Sequence, residues 1–467
     1  MADRSVERHS LQNLALEPAT ARLLFAGVLA VALALTRWTI APQFLFDYDN
    51  VNFALALKQF APLLSQPHRG YPLYVGVSRI VHWFGFSPEW TSLSMGFLGS
   101  LIALVFLIPL ARDMFGFRAA WIAPLLLFCH PTFVMAGAVD HVRTFLAAGA
   151  IATALFTWRG QFKTAAFALG LAGGFRMELV PTLLPLFLLS PLLVHRVSWK
   201  HLIAPCAILA VTTTPWVLFT VLRSGGFSAA LQFNSAMLRD NAHSFWYEGF
   251  TYRATVMALF ATYWNGIGSL SWLWAIPAAI SRDKAPDRWR EFVFLAIWFV
   301  PPYLLSAVVQ VTDPDQTLAS MAATCLVGAW ALSRVRSRWT ALACFISIAL
   351  FVFPPVHMGR EASLPWIRRV SAVEKRALEG VARAPGPRLI SIRGEYPTWR
   401  LVSYYFPEDW IQQSNFTAHA NRALTNSPPQ GLRSHVVINE QGDVFIESSL
   451  LPAPVSPTVR SWPPVGR

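Results

Sequence analysis

Two aspartates, Asp47 and Asp49, stand in the apolar stretch FLFDYDNVNFALAL, directly after the first apolar run of the chain. Carboxylates at the edge of a bilayer are costly to keep charged, so they are expected to be paired or functional. A carboxylate held in one orientation can accept the proton that a hydroxyl group loses in a reaction. The first question is therefore which elements hold these two side chains.

The residues after Asp49 predict a short helix. Apolar side chains from Val51 to Leu64 form a broad face, and Asn50 and Asn52 are among the polar residues of the other face. An amphipathic helix of about 13 residues is too short to span a membrane and is expected to lie in the interface. Asp49 would be its N-cap, a structural role that suits a carboxylate and is compatible with a catalytic one.

Composition indicates a polytopic membrane protein. Of 467 residues, 54% are hydrophobic and only 13% are charged, against about a quarter charged in soluble domains. The net charge of +13 is distributed in short clusters between apolar runs, which does not indicate a nucleic-acid-binding surface. The four cysteines lie in apolar segments and show no metal-binding spacing, so neither a disulfide framework nor a zinc site is expected.

Eleven apolar segments predict transmembrane helices, since a span needs about 20 mostly apolar residues. They lie near residues 20–37, 91–110, 119–138, 142–158, 163–177, 179–194, 201–222, 258–280, 291–310, 316–333 and 339–355. The shortest junction is Arg176-Met177-Glu178, between the fifth and sixth segments. The transmembrane domain is therefore predicted to cover residues 1–355, with a first span that is retained and not cleaved.

Basic residues predict the orientation of these spans. Alternate short connections carry Arg112, Arg118, Arg159, Lys163, Arg196, Lys200, Arg282, Lys284, Arg288, Arg290, Arg334, Arg336 and Arg338. Positive residues favour the cytoplasmic side of a membrane. Loops 38–90 and 223–257 and the C-terminal region are then expected to face outward from the cytoplasmic membrane.

Residues 356–467 predict a small extracytoplasmic α/β domain. An apolar stripe that includes Trp366 and Val370 predicts a helix that ends before Pro385. The segment RLISIRG predicts a strand, and RSHVVINEQGDVFIES predicts a β-hairpin that turns at Gly442.

The first outer loop resembles a known family. An acidic residue after the first span, followed by QPHRGYPLYVGVSRIVHWFG, is similar to the first outer loop of GT-C glycosyltransferases, and more narrowly to the branch related to protein O-mannosyltransferases. Asp49 matches the acidic position. The second part of the pattern is matched by His68, Gly70, Tyr71 and Pro72. Arg69 stands where the branch usually has proline, and Tyr48 where it has glycine.

Two further segments carry the same resemblance. GGFRMELVPTLLPL, residues 173–186, is similar to a Gly-x-Arg…Leu-Pro-Leu segment of that branch, and SYYFPED, residues 403–409, to its C-terminal Tyr-Tyr-Phe-Pro. The resemblance implies transfer of a sugar from a polyprenyl-phosphate carrier to an acceptor hydroxyl at the outer membrane surface. Such a donor contains no nucleotide, so the sequence Asp47-Tyr48-Asp49 is not a nucleotide–metal clamp. The sequence assigns no cofactor, and a requirement for a divalent metal stays open.

The implied reaction assigns roles to the charged residues. Asp49 would be the general base of an inverting transfer, and Asp47 is the alternative base or a charged neighbour that supports it. The phosphate leaving group needs cations and hydrogen-bond donors. The candidates for contacting the substrate are His68, Arg69, Tyr71, Arg143, Arg176, Glu178, Arg239 and His243, with His141 as a further donor. Arg176 is the clearest of them, because it lies between apolar runs; a structural salt bridge with Glu178 is its alternative role.

Two other classes of function stay open. A transporter or flippase for a lipid-linked substrate predicts broken spans in matching halves and ionisable residues at mid-membrane. The spans here show no such repeat, and the charges gather at the outer edge. A non-catalytic GT-C-like partner of an envelope assembly complex is the third possibility. The sugar and the acceptor, whether glycolipid, glycan or protein, are not specified by the sequence.

Overall fold

The computed structural model describes residues 19–59, 71–139, 141–232, 235, 271–282, 288–309, 317–354, 363–394, 396–413 and 433–447. The described chain is mostly helical, with one small sheet near the C-terminus. The helices before the sheet are α1 (Ala19–Ile40), α2 (Asp47–Gln59), α3 (Pro72–Trp83), α4 (Pro88–Phe115), α5 (Phe117–Phe128), α6 (Pro131–Ala138), α7 (Thr144–Trp158), α8 (Phe162–Phe175), α9 (Leu179–Leu193), α10 (Ile203–Arg223), α11 (Ala275–Arg282), α12 (Trp289–Val309), α13 (Leu318–Leu332) and α14 (Ser337–Val352).

The described helices follow the predicted apolar segments. Two of them, Pro88–Phe115 and Trp199–Arg223, are long and apolar enough to cross a membrane, and α5 and α6 together form a third candidate that is bent by 61°. The bend falls before Pro131, which begins α6 because a proline is tolerated at the first helical position. Several other apolar helices of the described chain are shorter, so the total of eleven spans stays a prediction.

Contacts between connections identify one end of the helical bundle. Arg159 forms an ion pair with Asp113, at 2.7 Å between Nε and Oδ2. Arg288 donates from Nη1 to the carbonyl of Met114 at 3.2 Å. These contacts bring the connections after α4, α7 and before α12 to one end of the bundle, which we call the basic end. The starts of α2, α4 and α7 lie at the opposite end.

The C-terminal region contains a four-stranded sheet and two helices. Its elements are α15 (Leu364–Arg383), β1 (Arg388–Ile392), α16 (Trp399–Tyr405), β2 (Trp410–Gln413), β3 (Ser434–Ile438) and β4 (Val444–Glu447). The strand order is β2-β1-β3-β4; β1 pairs in parallel with β2 and β3, and β4 closes an antiparallel hairpin with β3. The predicted hairpin turn is present at Gly442, whose φ of +81° favours glycine.

Helix α2 differs from the predicted interfacial helix. Among the side chains of α2 that the structure describes, the polar Asn50 and Asn52 are buried like most of the apolar ones, with Asn52 at 0% and Phe53 at 4% exposure. One side packs on α3 and α4, and the other packs on the C-terminal region, where Val51 contacts the cluster of Leu378 and Leu401. The prediction that the polar side of α2 faces water was wrong. A local periodicity cannot show that a segment more than 300 residues further along the chain packs on this side.

Tyr405 of α16 connects the C-terminal region to the helical bundle through hydrogen bonds. Its hydroxyl donates to Glu89 Oε1 at 2.7 Å and accepts from the backbone N–H of Leu45 at 3.3 Å. Burial, together with the hydrogen bond to Glu89, raises the pKa of Tyr405 above its ordinary value. The phenol therefore stays a hydrogen-bond donor across the physiological pH range, and it connects α16, α4 and the loop that leads into α2.

We expect Tyr405→Phe to loosen this connection. A hydrogen bond to a charged group contributes about 1.5–3 kcal/mol, so local opening of residues 399–413 and 41–46 should become roughly tenfold or more frequent. Hydrogen–deuterium exchange of these segments measures the change. Glu89→Gln, which keeps an acceptor but removes the charge, should have a smaller effect. Unchanged exchange in Tyr405→Phe would show that apolar packing alone holds the C-terminal region in place.

Candidate active site

The candidate base lies in the first turn of α2. The helix begins at Asp47, so Asp49 is inside the helix and is not its N-cap, which corrects the sequence-based assignment. A carboxylate in the first turn still interacts favourably with the helix dipole. The Asp49 side chain is half-buried. The side chain of Asp47 lies outside the described part of the structure, so both carboxylates stay candidates.

Asn50 fixes the start of α2 against the bundle. This side chain is buried, and its Nδ2 donates to the carbonyl of Phe46 at 2.7 Å and to the carbonyl of Val139 after α6. A buried amide with these two acceptors is costly to displace. The residue next to Asp49 therefore holds the first turn of α2 beside the segment that leads from α6 into α7.

A cluster of aromatic rings joins α2 to the other site elements. Phe53, one turn after Asp49, contacts Tyr71 and Tyr74 with ring centroids 5.2 and 4.6 Å apart. Tyr74 contacts Phe145 of α7 at 5.9 Å. Phe145 in turn stacks on Phe175 at the end of α8, at 4.2 Å. The cluster brings α2, Tyr71, the start of α7 and the junction of α8 with α9 to one place.

Arg176 occupies that junction and is fully buried at 0% exposure. Its backbone is extended, so α8 ends directly before it. The guanidinium forms an ion pair with Glu178 and lies over the Tyr71 ring, 5.7 Å from the centroid. Among the described residues, Nε and Nη1 have no hydrogen-bond partner. A desolvated guanidinium with donors to spare is well suited to bind an anion.

Arg143 lies directly after a residue of the aromatic cluster. It ends a short 3₁₀ helix, His141–Arg143, directly before α7 and is buried at 6% exposure. Its neighbour Val142 belongs to the aromatic cluster with Phe145. Tyr71 belongs to the cluster to which α2 contributes Phe53, Arg176 contacts Tyr71 and Glu178, and Arg143 follows a cluster residue in the chain.

The remaining predicted residues cannot be placed. His68, Arg69, Arg239 and His243 lie outside the described residues, as does the side chain of His141. No group of three or more His, Cys, Asp or Glu side chains in the described part of the chain is arranged to hold a metal ion. The described residues therefore supply a cationic and aromatic site without a defined metal centre.

The structure adds residues that sequence reasoning missed. Asn50 was assigned to a polar surface, and Glu89 and Tyr405 received no role. Glu89 and Asn50 line an open cavity of about 620 Å³, together with residues 38, 39 and 41–46, the start of α4 and Ala138. An acidic residue in the first turn of a helix, directly after Pro88, was the one local signal for Glu89.

No protein-family model matches the sequence, and no curated protein sequence matches it either. Solved structures do match. ArnT from Cupriavidus metallidurans bound to undecaprenyl phosphate is 15% identical, with a TM-score of 0.60 over 86% of this chain and 87% of that chain. The same enzyme in the apo state gives 15% identity and a TM-score of 0.58 over 85% and 86%.

A more distant likeness is to the oligosaccharyltransferase of Archaeoglobus fulgidus in the apo form, at 12% identity and a TM-score of 0.46 over 82% of this chain and 63% of that one. The two ArnT structures each match more than four fifths of the chain. At this level of identity the likeness to the ArnT structures is one of fold. The chain has the fold of the GT-C glycosyltransferases, as the resemblance of its first outer loop predicted.

Proposed function

We propose that this protein transfers a sugar from a polyprenyl-phosphate carrier to a hydroxyl group of an envelope acceptor at the outer face of the cytoplasmic membrane. The observation that carries the proposal is the buried guanidinium of Arg176, which sits beside the aromatic cluster that also holds the helix of Asp49. The ArnT structure with the same fold contains undecaprenyl phosphate, which supports a carrier of this class.

Arg176 is assigned to the phosphate of the carrier. Its ion pair with Glu178 compensates the cost of burial, and the Tyr71 ring adds a cation–π contact that is worth about 2 kcal/mol when desolvated. The donors that are left over point to a second, negatively charged partner. As the bond between the sugar and the phosphate breaks, the phosphate keeps the electron pair, and a fixed guanidinium stabilises that charge without reorganisation.

Asp49 is assigned to the acceptor. The acceptor oxygen attacks the anomeric carbon from the face opposite the phosphate, and its proton passes to the carboxylate, so the sugar is transferred with inversion. Asn50 and Phe53, which follow Asp49 in α2 and contact neighbouring elements, supply the rigidity that the transfer of a proton requires. Asp47, one residue before Tyr48, is the alternative base.

Asp49→Asn tests the assignment of the base. Asn keeps the shape of the side chain and cannot accept a proton, so transfer should fall by about a hundredfold or more, while the protein stays folded and inserted. Asp47→Asn should reduce transfer less. The assay is transfer from a polyprenyl-phosphate sugar in membranes of cells that lack the native gene. Normal transfer by Asp49→Asn together with lost transfer by Asp47→Asn would show that Asp47 is the base.

Arg176→Ala tests the assignment of the phosphate site in the same assay. Transfer should be abolished, and Arg176→Lys should restore only part of it, because a lysine cannot make bidentate contacts. Arg288→Ala at the basic end is the control: it also breaks an ion pair, with Glu291 at 3.1 Å, but should leave transfer intact. Wild-type transfer by Arg176→Ala would reduce this residue to a structural partner of Glu178.

The orientation of the chain is tested with reporter fusions. The contacts at the basic end join connections that all carry positive charge, so this end should face the cytoplasm and the aromatic cluster should face outward. A reporter fused at Asp287 should therefore be cytoplasmic, and one at Gly442 should be outside. An outward Asp287 or a cytoplasmic Gly442 would contradict this orientation.

A further inference from the structure

A second candidate binding site lies at the basic end, far from Arg176. A groove of about 1100 Å³ runs between α5 and α14. The side chains at its mouth are basic: Arg118, Arg334, Arg336 and Arg338. Its walls are mostly apolar and include Leu125, Phe128 and Ala341. No acidic side chain is among the described residues that line it.

Three of the arginines at the mouth contact backbone carbonyls or an aromatic ring. Arg338 lies over the Trp339 ring, 5.3 Å from its centroid. Arg118 donates to the carbonyl of Ser333 at 3.4 Å, and Arg334 donates to the carbonyl of Trp330 at 2.9 Å. Within the described chain, Arg118, Arg336 and Arg338 form no ion pair. These three arginines therefore present positive charge that no carboxylate in the described part of the chain neutralises.

The residues of α5 that line the groove extend over about the thickness of one leaflet. From Arg118 to Phe128, α5 rises by about 15 Å, which is half of the ~30 Å thickness of a hydrocarbon core. The arginines then lie at the level of lipid headgroups, and the apolar walls lie along the acyl chains. These arginines belong to connections that the charge distribution places on the cytoplasmic side, where the leaflet contains anionic lipids.

We propose that this groove binds an anionic phospholipid of the cytoplasmic leaflet, with the phosphate on the arginine mouth and an acyl chain between α5 and α14. Charge and shape both support this occupant. A positive-inside signal requires only that basic residues lie in the connection, and it does not explain why four arginines surround one groove with apolar walls. The proposal does not depend on the sugar-transfer reaction, because Arg176 and α2 lie at the other end of the bundle.

Native mass spectrometry of the purified full-length protein tests the proposal. In a titration, phosphatidylglycerol should bind in preference to phosphatidylcholine with the same acyl chains. The double variant Arg336→Gln/Arg338→Gln should bind phosphatidylglycerol about thirtyfold more weakly, since each arginine near an anionic headgroup contributes about fivefold in affinity. Ala341→Trp, which fills the groove and keeps every charge, should also lose the lipid.

The control is Arg196→Gln/Lys200→Gln, which removes two exposed positive charges outside the groove and should bind phosphatidylglycerol like the wild type. Equal loss in this control would mean diffuse attraction by net charge and would overturn the proposal. So would wild-type binding by Ala341→Trp. Displacement of phosphatidylglycerol by a lower concentration of undecaprenyl phosphate would reassign the groove to the carrier lipid and would equally overturn it.

Discussion

The cost of burying the charge of Arg176 governs the arrangement of the candidate site. A guanidinium at 0% exposure requires compensation, because an ion without water or a partner is strongly destabilising. Glu178 and the Tyr71 ring provide part of it. Keeping these partners in place requires a rigid frame, and the rings of Phe53 and Phe145 form it by joining separate helices at short distances. A phosphate group would complete the compensation only when the substrate is bound.

The C-terminal region extends this frame on the other side of α2. Val51 packs against Leu378 and Leu401, and Tyr405 reaches Glu89 across the loop before α2. Helix α2 is thereby packed between the helical bundle and the C-terminal region. Helices α15 and α16 of the C-terminal region thereby restrict α2, and the base proposed on α2 requires a narrow range of orientations to accept a proton efficiently.

Local patterns predicted the described elements well, because apolar runs and turn residues act over short distances. The helix that contains Val370, the hairpin at Gly442 and the break at Arg176 were all visible in the sequence. The sequence also selected Arg176, because a charge between apolar runs is a local signal. It could not show that Asn52 is buried or that Tyr405 contacts Glu89, because those facts depend on segments that are distant in the chain.

The central claim is that the end of the bundle with Arg176 receives the phosphate of a lipid carrier. Photo-crosslinking in native membranes tests it directly, with a photoreactive amino acid in place of Met177, beside Arg176, or in place of Leu342, an exposed residue of α14 toward the basic end. A radiolabelled polyprenyl phosphate should crosslink at position 177, and excess unlabelled carrier should abolish this crosslink. Crosslinking at position 342 alone would contradict binding of the carrier beside Arg176. Crosslinking at position 177 that persists in excess unlabelled carrier would contradict it as well.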